Sequence, residues 1–137
     1  MRAQIAALMV TVAGITAGLA APASAATVTD ETGAVACTAV ANHPCVWQEK
    51  DGGGGVVGVA QVSAADPAHL TLVQVEVRTQ RTWGGPWVTA ASATTVQAGF
   101  AKAVTPRVVT SDLTIVCATG GPLLDVTQRV TTCTNPF

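Results

Sequence analysis

The residues best suited to acid–base chemistry in this sequence are Asp66 and His69, which stand three positions apart. A carboxylate that orients an imidazole belongs to a hydrolytic triad, which also needs a serine nucleophile on a sharp turn. The sequence contains no Gly-x-Ser-x-Gly motif that would build such a turn. Because Pro67 follows Asp66, this segment is typical of a polar turn in which the aspartate binds its own backbone. We therefore predict no catalytic residues and no enzyme.

The other reactive side chains also fail to form a recognisable site. None of the eight acidic residues belongs to a pair whose setting marks it as the acid and base of a glycoside hydrolase. The cysteines show no Cys-x-x-Cys spacing, and only His43 lies near one of them, so no metal site is predicted. The sequence also predicts no cofactor.

Four consecutive glycines, Gly52 to Gly55, would form a phosphate-binding loop only with a following Lys-Ser or Lys-Thr and a helix. Neither follows in this sequence. Asp51-Gly52 is instead typical of a hairpin turn, and we expect the remaining glycines to form a mobile tip.

The tryptophans offer the best candidate binding site. Trp83 and Trp87 flank Gly84-Gly85-Pro86, and Arg81 lies close by. Flat indole faces on a loop can stack on sugar rings, so a site of Trp83 and Trp87 with Arg81 at its rim predicts a polysaccharide ligand. The alternative is that both indoles cover one end of a core, because the chain has only two phenylalanines and no tyrosine.

The N-terminus has the pattern of a secretory signal peptide. Arg2 precedes an apolar run from Ile5 to about Leu19, and Ala23-Ser24-Ala25 supplies the small residues of a cleavage site. The run is shorter than the roughly 20 residues that span a bilayer. We predict a signal peptide over residues 1–25 and one secreted domain over residues 26–137, with no integral membrane segment after cleavage.

The charge balance narrows the range of partners. Removing residues 1–25 takes away one of the seven basic residues and none of the eight acidic ones, which leaves a formal net charge of −2. Such a surface has no strong electrostatic field, so nucleic acid and anionic membranes are not expected partners.

Short runs rich in Val, Thr and Ala, separated by Gly and Pro, predict an all-β domain. Leu70 and Leu72 are out of phase with Val73 and Val75, which predicts a bulge, or a strand covered on both faces, at this point. Gly120-Gly121-Pro122 predicts a turn. The pattern favours an antiparallel β-sandwich, immunoglobulin-like or similar. Its predicted strands span residues 35–40, 46–48, 56–62, 70–78, 87–90, 95–100, 104–110, 113–117 and 124–133.

Four cysteines in a small exported domain predict two disulfides. Local pairing would join Cys37 to Cys45 and Cys117 to Cys133, closing two short loops. The alternative joins Cys37 to Cys117, in the Cys–Trp–Cys order of immunoglobulin domains, but Ile115 stands where those domains carry a tyrosine. We favour the local pairing, and the alternative stays open at this point.

An alanine-rich leader, Val/Thr/Gly-rich strands and two cysteines that close a C-terminal hairpin resemble the small secreted β proteins of actinobacteria, most of which have no assigned activity. The resemblance implies no functional residues. We expect a non-catalytic secreted module that binds glycan or the cell envelope. The alternative is a secreted inhibitor or protein-interaction domain that presents a loop braced by Cys37 and Cys45, with Asn42-His43-Pro44 at its tip.

Overall fold

The structure, a computed structural model, describes residues 40–137. The predicted signal peptide, Cys37 and nearly all of the predicted strand at 35–40 lie outside the described residues. Within residues 40–137 the chain forms eight strands and one short 3-10 turn (Val126–Gln128) and contains no α-helix. The strands are β1 (Cys45–Lys50), β2 (Gly55–Ser63), β3 (Leu70–Gln80), β4 (Val88–Ala98), β5 (Phe100–Val104), β6 (Val108–Val109), β7 (Leu113–Pro122) and β8 (Val130–Cys133).

These strands form two sheets in which every pairing is antiparallel. The first sheet has the order β1-β2-β5, and β6 also pairs with β2. The second sheet has the order β4-β3-β7-β8. The all-β prediction is confirmed.

One buried cluster draws its side chains from both sheets. Val46 and Val62 come from the first sheet, whereas Val73, Val75 and Val116 come from the second. Removing each such valine from water contributes roughly 1.5–3 kcal/mol. This shared cluster is where the apolar faces of the two sheets meet.

One of the two predicted disulfides, Cys117–Cys133, is confirmed. Cys117 on β7 lies directly opposite Cys133 on β8, and the two sulfurs are bonded. This bond excludes the immunoglobulin-type pairing of Cys37 with Cys117. The predicted pairing of Cys37 with Cys45 stays a prediction, because Cys37 lies outside the described residues.

One local prediction about a turn is wrong. Gly120-Gly121-Pro122 does not turn the chain but forms the last part of β7, paired with β3. A Cβ on Gly120 would lie 3.2 Å from the Cβ of Pro44, which is a tight contact, and Gly121 has a φ of +146°, which favours glycine. The predicted hairpin turn at Asp51-Gly52 is confirmed, since it joins β1 to β2. The Asp51 carboxylate accepts hydrogen bonds from the amides of Gly53 (3.0 Å) and Gly55 (2.8 Å).

The strand boundaries also differ from the sequence pattern. β4 is one continuous strand over two segments that the sequence separates, and only residues 130–133 of the predicted strand at 124–133 are extended in a sheet. At the start of β3, Thr71 lies on the buried face with Val73, so Leu70 and Leu72 fall on the other face without a change of phase. The bulge lies instead near the end of β3, between Val77 and Arg78.

Candidate functional site

The segment between β3 and β4 carries both candidate tryptophans on a tight turn. The amide of Gly85 donates to the carbonyl of Thr82 at 2.8 Å, and Gly84 has a φ of +77°, which favours glycine. The buried Gln80 side chain reaches this turn and donates from its amide nitrogen to the carbonyl of Gly85. These bonds fix the turn to the end of β3.

The two indoles are placed differently. Trp83 is 88% exposed, whereas Trp87 is half-buried. Arg81 is exposed beside them. The alternative that both tryptophans cover the end of the core therefore does not hold for Trp83.

A groove of about 310 Å³ lies beside this turn. Arg81, Thr82 and Pro86 from the turn line it together with Thr79 at the end of β3 and Asp112 just before β7. The groove thus combines a guanidinium, a carboxylate and hydroxyl groups, all of which can hydrogen-bond to a polyhydroxylated ligand. Sequence reasoning missed Asp112, because only the pairing of β3 with β7 brings it next to Arg81.

Trp47 is not part of an accessible site. It is 8% exposed and packs with Cys45 and Val59. Its indole nitrogen donates to Glu49 Oε1 at 3.2 Å, and the Lys102 ammonium lies 5.7 Å from the ring centroid. Trp47 therefore serves the packing of the first sheet.

Asp66 and His69 line a larger cleft of about 540 Å³ at the opposite end of β3. His69 Nε2 lies 3.5 Å from Asp66 Oδ2, and Asp66 Oδ1 accepts a hydrogen bond from the Ala68 amide at 2.9 Å. This is the polar turn that the sequence predicts. No serine or cysteine is among the residues that line the cleft in the described part of the chain. Thr71 does line it, and its hydroxyl donates to the carbonyl of His69 at 3.4 Å.

The carboxylate of Asp125, which also lines this cleft, binds residues of its own loop. Its carboxylate accepts hydrogen bonds from the hydroxyl and amide of Thr127 and from the side chain of Gln128. The Thr127 hydroxyl is the main cause that lowers the pKa of Asp125 below its ordinary value. Asp125 thus caps the 3-10 turn.

The loop with Asn42-His43-Pro44 is held from both sides of its tip. The Asn42 amide donates to the Ser63 carbonyl at 2.7 Å, and the His43 amide donates to the Val40 carbonyl at 3.2 Å. Pro44 is buried, whereas His43 is exposed. The loop therefore presents one imidazole on a fixed backbone.

Comparisons with known proteins do not assign this arrangement to a family. No family model, no curated protein and no solved structure matches the chain. Within residues 40–137 no three His, Cys, Asp or Glu side chains are grouped closely enough to hold a metal ion. In the same residues no helix has the length and apolarity needed to cross a membrane.

Proposed function

We propose that this chain is a non-catalytic secreted β-sandwich module that binds polysaccharide through the Trp83–Trp87 turn. The observation that carries the proposal is the 88% exposure of Trp83 on a turn whose backbone is held by hydrogen bonds. A large indole left in water retains apolar surface that a ligand can cover. Because the turn is already ordered, binding loses little conformational entropy.

The groove beside the turn supplies the polar half of a sugar site. A sugar unit in the groove would hydrogen-bond to Arg81 and Asp112. A neighbouring unit of the same polysaccharide would stack on Trp83, which lies on the turn but does not line the groove. A guanidinium only donates hydrogen bonds and an ionised carboxylate only accepts them, so the two together suit hydroxyl groups, which do both. The half-buried Trp87 would support the edge of the site.

The sandwich and the secretion of the chain are supported by separate observations. Two antiparallel sheets that share one buried cluster are the arrangement expected of a β-sandwich. The Cys117–Cys133 disulfide fits an oxidising compartment. The leader pattern over residues 1–25 supports export.

The proposal is tested by retention on insoluble polysaccharides, namely cellulose, chitin, xylan and peptidoglycan. We expect the parent protein to bind one of them, and Trp83→Ala to lose most of that binding. The matched control is Leu124→Ala, because Leu124 is 91% exposed but lies near Leu70, at the far end of β3. At about 3.3 Å per residue, β3 places the control roughly 30 Å from the turn. Equal retention of Trp83→Ala and the parent protein would refute the proposal.

A further inference from the structure

β4 is a sheet edge with an open side. Within residues 40–137 it is the end strand of the second sheet and pairs only with β3. Most of its residues are exposed, with none fully buried. In an antiparallel ladder alternate residues direct their N–H and C=O groups away from the neighbouring strand, so one side of β4 presents unpaired donors and acceptors.

The other end strands are short or carry charged residues, whereas β4 is long and uncharged. β8 has four residues, β5 has five and includes Lys102, and β1 ends in Glu49 and Lys50. Short strands and charged side chains protect edges in natural sheets. β4 has eleven residues, with no charged residue and no proline among them.

The open edge is regular over most of its length. The register shift opposite Val77 and Arg78 leaves Ala90 without a partner on β3, so a bulge interrupts only the beginning of β4. Ala91 to Ala98 then pair with β3 without interruption. Eight residues at about 3.4 Å each give a straight edge of roughly 27 Å.

We propose that β4 pairs antiparallel with β4 of a second copy of this chain, which joins the two second sheets into one eight-stranded sheet. Antiparallel pairing of a segment with itself brings each charge near its own copy, and a segment without charges avoids that repulsion. Thr94, Thr95 and Val96 at the middle of the edge are β-branched and favour extended pairing. With a two-fold axis near Thr94, every β4 side chain that faces the core of its own copy still faces that core in the dimer.

The test measures the mass of the purified protein by sedimentation equilibrium over a wide range of concentrations. We expect a reversible monomer–dimer equilibrium for the parent protein. Thr94→Lys and Thr94→Glu should each weaken dimerisation several-fold, because like charges then lie opposite or diagonal across the axis. An equimolar mixture of the two variants should restore the dimer, because the charges are then opposite.

Thr131→Lys on β8 is the matched control, since it places the same exposed charge on the other edge of the same sheet and should leave dimerisation unchanged. Circular dichroism of each variant confirms that the fold is kept. A parent protein that stays monomeric at the highest concentration would overturn the proposal. So would a dimer that is insensitive to Thr94→Lys or equally sensitive to Thr131→Lys.

Discussion

The guanidinium of Arg107 binds both oxygens of the Asp51 carboxylate and so joins the β1–β2 hairpin to the segment between β5 and β6. The same carboxylate accepts hydrogen bonds from the amides of Gly53 and Gly55. The bond from Arg107, followed by those from the backbone amides, lowers the pKa of Asp51 from 3.8 to about 2. A single carboxylate therefore binds both the glycine-rich turn of this hairpin and the segment after β5.

This lowered pKa predicts a specific dependence of stability on acid. The contribution of Asp51 is complete above its ordinary pKa of 3.8 and is lost as the pH falls through about 2. Asp51→Asn should therefore reduce the slope of unfolding free energy against pH within that interval. The measurement is urea unfolding at a series of pH values.

Arg107→Gln is the control for the cause of this effect. This change removes the largest cause of the lowered pKa, so the pKa of Asp51 should move back toward its ordinary value. The pH interval over which Asp51 affects the unfolding free energy should therefore become narrower. Added salt should act in the same direction, because the ion pair is exposed. Identical pH slopes for the parent protein and Asp51→Asn would contradict this account.

Gly58 marks a close approach of the two sheets. A Cβ at this position would lie 2.8 Å from Val116 Cγ1 and 3.1 Å from Val77 Cγ2, both of which belong to the second sheet. Gly58→Ala should therefore destabilise the protein by about 1–3 kcal/mol through overpacking. Urea unfolding measures this change.

Gly52→Ala is the matched control, because a Cβ there meets no atom within 4 Å. Its effect should stay within about 0.5 kcal/mol. Val116→Ala combined with Gly58→Ala should cost less than the sum of the single changes, because the first change makes room for the second. Additive costs would show that the two sheets do not meet at this point.

Removal of the Cys117–Cys133 bond should destabilise the protein mainly because the unfolded chain then gains conformational entropy. The bond closes a loop with a sequence separation of 16, for which chain entropy predicts a loss of about 3 kcal/mol. We expect Cys117→Ala with Cys133→Ala to lower the unfolding free energy by this amount. An unchanged denaturation midpoint would argue that the bond does not constrain the unfolded chain.

Short-range features of this protein could be predicted from its sequence. Alternation of apolar residues identified β3, and Cys117 and Cys133 lie close enough in the chain for local pairing to be the simplest choice. The turn between Trp83 and Trp87 follows from its glycines and proline. In each case the deciding interactions lie within a few residues or one hairpin.

Features that depend on distant parts of the chain could not be predicted. Gly120 allows β7 to pass close to Pro44. The sequence alone does not distinguish a glycine that allows close packing from a glycine that forms a turn. Arg107 binds Asp51, which lies 56 residues away in the chain, and Asp112 lines the same groove as Arg81 because β3 and β7 pair. No local pattern contains these contacts.

Exposure of the indoles gives the most direct test of the proposed polysaccharide site. Acrylamide quenching of tryptophan fluorescence should show one readily quenched component in the free protein, because Trp83 is exposed and Trp47 is buried. Trp83→Phe should remove that component. We predict that the polysaccharide that retains the protein shields this component in the parent protein. If the component stays equally quenchable when the protein is bound, the ligand does not cover Trp83 and the proposed site is wrong.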